Sequence, residues 1–158
     1  MNTTIPAMTI LSDDEARRML AGLSAPFDLV GELMYLTGLR LQEVLELRVR
    51  DVEVTRGVLY IRRTNGARDR FVTLNGDLQQ KLAGQIERAR RQHAADLKAG
   101  VGAILPLDVD ERLPLARTRW CWQYVFFGRD CVTDPISGER SRPSLSALEF
   151  QKALRVTA

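Results

Sequence analysis

The spacing of apolar positions changes several times along the chain, and each change marks an element. Ser12 is followed three residues later by Glu15, the capping-box spacing, and Asp13 and Asp14 place negative charge at the positive end of a helix dipole. Ala16, Met19, Leu20 and Leu23 then recur at helical spacing. Ser24-Ala25-Pro26 breaks that pattern, and Pro26 suits the first turn of a second helix. Phe27 to Leu36 is apolar almost all round and predicts a buried central helix with Tyr35 packed inside it. Thr37-Gly38 is a stop, and a short amphipathic helix follows from Leu41 to about Leu47.

The period then shortens. Val52 and Val54, Val58 to Ile61, and Phe71 to Leu74 are short β-branched and aromatic runs, separated by Arg56-Gly57 and Asn65-Gly66. Asn-Gly between strand-like runs is a hairpin signal, so these runs predict a three-stranded antiparallel sheet between helices. Gly76-Asp77 starts a long helix to about Lys98, with Leu78, Leu82, Ile86, Ala89, His93 and Leu97 as its inner stripe. Gly100 to Leu115 lacks a clear period and reads as a loop or one short helix. Trp120 to Phe127 is the most aromatic stretch, Asp134 to Gly138 is a turn, and a last helix runs from about Leu145 to Val156. The fold class is mainly α with a small three-stranded antiparallel β-sheet (α+β), in a single domain over residues 1–158.

Composition narrows the class without naming a function. The 158 residues are 45% apolar and 27% charged, which excludes disordered, collagenous and disulfide-scaffold chains. No apolar run approaches the ~20 residues a membrane helix needs, and Met1 to Ile10 does not read as a signal peptide. Cys121 and Cys131 read as small buried hydrophobes in a reducing compartment. The net charge of +3 says little, but its basic residues are nearly all arginine, the side chain that grips phosphate bidentately. A solvated, mildly basic surface is the plainer alternative.

The stretch Thr37 to Asp51 (TGLRLQEVLELRVRD) carries the most chemistry. Arg40 follows a Gly break at the start of a short helix, where a guanidinium can join backbone N–H groups in holding an anion. Glu43 lies one turn later on the same face, placed to orient Arg40. The competing reading is an ordinary Arg–Glu surface pair worth about 0.3–0.5 kcal/mol.

Those residues resemble the catalytic domain of the tyrosine recombinases (phage integrase family). There the first active-site arginine stands in the pattern T-G-L/M-R-x-x-E-x-x-x-L-x-x-x-D, and Thr37, Gly38, Leu39, Arg40, Glu43, Leu47 and Asp51 fill each slot. The order of elements is also similar. Within the family the chain looks most like the integron integrases, through the hairpin Thr64–Leu74, the segment Ile104–Phe127 and the stretch Thr133–Arg142. The resemblance implies a partial catalytic domain, its N-terminal two-thirds, without the family's separate DNA-clamping domain. It implies DNA integration and site-specific recombination, in which a tyrosine attacks a phosphodiester and arginines neutralise the phosphate. No metal, ATP or other cofactor is implied. The partners implied are DNA with bulged or hairpin sites and further recombinase protomers, in a cytoplasmic, nucleoid-associated setting.

The chain also departs from that pattern. Asn65 occupies the position of the family's hairpin lysine, and an amide does not deliver a proton at neutral pH. His-x-x-Arg is absent, since the single histidine, His93, is followed three residues later by Asp96. Tyr35, Tyr60 and Tyr124 fall away from the place of the nucleophile and read as packing residues. The expectation is therefore a truncated fragment that is inactive alone, associates with itself or docks on an intact recombinase, with a non-catalytic DNA-binding or recombinase-interacting module as the alternative. Arg40, Glu43 and Asn65 mark the catalytic positions. Arg40, Arg48, Arg62, Arg63, Arg68 and Arg70 are the candidate phosphate contacts, and Trp122 and Pro135 stand at positions resembling base-stacking contacts.

Overall fold

The capping box opens the fold. Ser12 and Glu15 exchange hydrogen bonds, with the Ser12 N–H donating to the Glu15 carboxylate at 2.8 Å. A computed structural model describes residues 10–62 and 68–157. Helix α1 (Asp13–Ala21) leads through Pro26 into α2 (Phe27–Thr37), which ends at Gly38 in the left-handed conformation at φ 69°. That conformation suits glycine because it has no Cβ to clash. A short α3 (Leu41–Leu45) follows, then a single 3₁₀ turn at Val49–Asp51.

Strands β1 (Val52–Glu53), β2 (Val58–Ile61) and β3 (Arg70–Thr73) form the expected antiparallel sheet in the order β1-β2-β3, with Leu59 opposite Val52 and Val72. The Asn65-Gly66 turn lies outside the described residues. The long helix α4 (Gly76–Lys98) is capped by the Asn75 side chain, which accepts the Leu78 N–H at 2.9 Å. Fold class and the main elements thus match the expectation.

One core unites these parts. Leu29, Val30 and Leu33 of α2 pack with Val44 and Leu45 of α3, Leu59 and Ile61 of β2, and Leu78, Leu82 and Ile86 of α4. Val125 and Phe126, both wholly buried, close it from the aromatic segment. Gln85 of α4 fixes that segment by donating to the Val125 carbonyl at 2.9 Å.

Several expectations need correction. Helix α2 is buried on one face only: Tyr35 is exposed and its hydroxyl donates to Asp13 at 2.7 Å, which ties α1 to α2. Leu97 is exposed, so the inner stripe of α4 ends earlier. Cys121 is exposed and Cys131 half-buried, so neither is a core residue.

The stretch after α4 is more ordered than its weak periodicity implies. It forms β4 (Val101–Ala103), α5 (Leu107–Arg112) and 3₁₀ turns at Pro114–Thr118 and Trp120–Trp122. After β5 (Val132–Thr133), β6 (Arg140–Arg142) pairs parallel with β4 and antiparallel with β5, making a second sheet of order β4-β6-β5. Helix α6 (Ala147–Thr157) returns to the first core through Phe150. Among the described residues no helix is long and apolar enough to cross a membrane.

Candidate nucleic-acid interface

The Gly38 bend delivers Arg40 to the start of α3 with an exposed side chain. Glu43 acts on this residue through the backbone. Its Oε2 accepts the Arg40 peptide N–H at 2.8 Å, and the same oxygen accepts from the Arg70 guanidinium at 2.8 Å. Glu43 thus bears on Arg40 through the peptide N–H, and no ordinary Arg–Glu side-chain pair is formed between them among the described contacts: the carboxylate fixes the turn carrying Arg40 and fastens it to β3. Among the described residues the Arg40 guanidinium has no ion-pair partner. Arg70 also keeps a donor in reserve, since its buried Nε finds no acceptor among the described residues. A buried donor left unmatched is costly, and an incoming anion would satisfy it.

Asp51 braces the next turn of chain. Its Oδ2 accepts the Arg48 N–H at 3.2 Å, and its Oδ1 accepts from Arg62 Nε at 2.6 Å. Arg62 lies at the end of β2 with its side chain half exposed, so Asp51 couples the start of the hairpin to the end of α3. Sequence reading placed Asp51 in the motif without giving it this part.

Arg48 is the clearest correction among the candidate phosphate contacts. It is 8% exposed, and its guanidinium donates to the Trp122 carbonyl at 2.7 Å and the Tyr124 hydroxyl at 3.0 Å while lying 4.2 Å from the Tyr124 ring centre. Burial pushes its pKa below the ordinary arginine value. A guanidinium held inside in this way does not meet solvent phosphates. It joins α3 to the aromatic segment, aided by backbone bonds from Val49 to Gln123 and from Val125 to Leu47.

Trp122 is likewise no open platform. It is 9% exposed, packs on Ala103 and Ala116, and carries the Arg50 guanidinium 3.7 Å from its ring centre. The indole face that a base would use is occupied. Trp120 is more open, but it is also covered, by Arg90 at 4.6 Å and by His93.

Of the remaining candidates, Arg68 is exposed beside β3. Pro135 is exposed in the Asp134–Gly138 turn, where Asp134 accepts the N–H groups of Ile136 and Ser137. Arg63 and Asn65 lie outside the described residues. The hydroxyl of Tyr60 donates to Glu53 at 3.0 Å, and Tyr124 is held by Arg48. A cleft of about 310 Å³ runs between Glu43, Arg48, Asp51 and Arg62 on one side and Ile104 to Pro106 on the other. Among the described residues there is no group of three or more His, Cys, Asp and Glu able to hold a metal ion.

Known proteins similar to this chain identify its family. The family described as "Phage integrase family" matches residues 9–144. Two curated proteins named "Integrase/recombinase", from Escherichia coli and Pseudomonas aeruginosa, are each 34% identical over 147 residues, covering 92% of this chain and 44% of the relative. "Tyrosine recombinase XerD" of Xanthomonas axonopodis pv. citri (strain 306) is 36% identical over 96 residues, 60% of this chain and 31% of that protein. Among solved structures, a XerA recombinase overlaps 55% of this chain and 33% of its own at TM-score 0.48 and 24% identity. The chain thus spans less than half the length of the curated relatives it matches. With the family's pattern running through both the arginine turn and the sheet it is fastened to, the chain belongs to the phage integrase, or tyrosine recombinase, family.

Proposed function

We propose that this chain carries the first-arginine part of a tyrosine-recombinase catalytic domain and holds DNA through its phosphate backbone. The observation that carries this reading is the exposed Arg40, set on a turn that Glu43 bolts to Arg70 of β3 through a single carboxylate oxygen. Arg40 would meet the scissile phosphate, with Arg70, Arg62 and Arg68 along the approaching strand. Arg63 and Asn65 belong to the same hairpin by sequence. Pro135 would stand toward displaced bases, as in the integron integrases that the hairpin and the Ile104–Phe127 segment resemble.

The reading extends to activity. Strand cleavage requires a free tyrosine hydroxyl, whereas Tyr35, Tyr60 and Tyr124 are each hydrogen-bonded within the fold. Residues 1–158 also contain no His-x-x-Arg. This polypeptide by itself therefore binds DNA without cutting it, and strand transfer would be the work of a complete recombinase. A suicide substrate with a nicked scissile strand tests this directly. No covalent protein–DNA adduct is expected, and a trapped adduct overturns the proposal. A salt-sensitive shift of hairpin DNA, weakened in Arg40→Ala, is expected alongside.

A further inference from the structure

We infer that Asp51 is the pivot of an exchange between two arginines: when Arg62 leaves it for a phosphate, Arg50 takes its place and uncovers one face of Trp122. The trigger rests on the DNA reading above, and the exchange deepens that reading by giving the site an autoinhibitory contact. Asp51 Oδ1 accepts from Arg62 Nε at 2.6 Å and lies 3.8 Å from Arg50 Nε. The Arg50 guanidinium in turn sits 3.7 Å from the centre of the Trp122 ring. Two cations thus compete for one carboxylate oxygen, and the one that loses lies across the indole. The other oxygen, Oδ2, accepts the Arg48 N–H at 3.2 Å and stays out of the competition. Arg48 itself is 5.6 Å from the Trp122 ring centre and is fixed by its bonds to the Trp122 carbonyl and the Tyr124 hydroxyl.

Exposure decides which arginine a phosphate takes. The side chain of Arg62 is 52% exposed, that of Arg50 31% and that of Asp51 8%, and all three line the same cleft. An incoming phosphate therefore meets Arg62 first, and a guanidinium forks onto phosphate as it does onto carboxylate. With Arg62 drawn away, Asp51 becomes a buried anion short of a counter-charge, which costs more than a cation–π contact contributes. Arg50 stands ready, since a shift of about 1 Å brings its Nε to hydrogen-bond distance. In the free protein Trp122 is packed on Ala103 and Ala116 and capped by Arg50. The exchange thus links backbone contact to a stacking surface that stays closed until a phosphate is held.

The test uses the 158-residue chain without DNA, in a Trp120→Phe background that leaves Trp122 as the single tryptophan. Acrylamide quenching of Trp122 fluorescence reports the cover, and circular dichroism checks that helix content is kept. Arg50→Ala removes the cover outright and sets the open value, expected about twofold above the parent. Arg62→Ala should approach that value, because Asp51 then draws Arg50 off the ring. Asp51→Asn/Arg62→Ala should return to the parent value, since a neutral amide accepts the Arg48 N–H without attracting Arg50. Inorganic phosphate, compared with chloride at equal ionic strength, should raise quenching in the parent and leave Arg62→Ala unmoved. Parent-like quenching in Arg62→Ala, a rise that survives Asp51→Asn, or a parent insensitive to phosphate would overturn the exchange. None of these outcomes involves Arg40, so the DNA reading stands or falls separately, on the gel shift.

Discussion

Arg142 and Arg40 stand at opposite extremes of how this chain uses arginine. Arg142 on β6 gives Nε and Nη2 to the two oxygens of Asp96 at 2.6 and 2.7 Å, and Nη1 to the carbonyls of Gly128 and Arg129 at 2.9 and 2.7 Å. Hydrogen bonding to Asp96 pushes its pKa above the ordinary arginine value. This side chain ties β6 of the second sheet to α4, which β4 also follows directly in the chain. Arg40 has its backbone held as firmly, yet its guanidinium is exposed. Arg48 is more deeply buried than Arg142 and is satisfied by a carbonyl, a hydroxyl and two aromatic rings. Arginine content alone therefore does not map a DNA-facing surface. Partners and burial do.

The comparison breaks most sharply at Asp96. Replacing this buried carboxylate with Ala leaves the largely enclosed Arg142 guanidinium, its side chain 11% exposed, without its counter-charge, and about 3 kcal/mol of stability should be lost in urea unfolding. A loss near zero would mean that Arg142 finds water instead. Arg48→Met should cost less, about 1–2 kcal/mol, because methionine keeps the packing while two hydrogen bonds and the ring contacts go. The same variant should leave DNA affinity unchanged, since its guanidinium does not reach solvent; a marked drop in binding would return Arg48 to the interface.

The smallest effect is a pH dependence at His93. Burial pushes its pKa below 6.5, opposed by the Asp96 carboxylate and reinforced by the Arg90 cation, with Arg142 and Tyr124 facing the same small cavity. A histidine that resists protonation in the folded state gives stability that is complete above pH 6.5 and lost as the pH falls through the lowered folded-state value. The melting temperature should fall over that window, and His93→Phe should flatten part of the fall. Identical profiles for the two proteins would remove His93 from the account.

Local order was legible wherever it is fixed by neighbours in sequence. The Ser12–Glu15 cap, the Gly38 stop, the three strand runs and the long helix starting at Gly76-Asp77 each follow from side chains within a few positions of one another, whereas the Asn75 cap of that helix came only from the structure. The second sheet was not legible: its strands are two or three residues long, and β4 reaches β6 across the whole aromatic segment. The same holds for the site. Arg40 and Glu43 were found by spacing, but Glu43 chose the peptide nitrogen and Arg70, 27 residues away. Arg48 looked like surface because its partners Trp122 and Tyr124 lie 74 and 76 residues on. Periodicity carries no information about such a partner, and so it could not tell a structural guanidinium from an available one.

The central claim is that Arg40 contacts a phosphate, and the salt dependence of DNA affinity measures this. For hairpin DNA, a plot of log affinity against log salt concentration should be shallower in Arg40→Ala by about 0.9, the value for one phosphate contact removed. Thermal stability should be unchanged to within ~0.5 kcal/mol. A variant with the parent's slope and affinity would contradict the account.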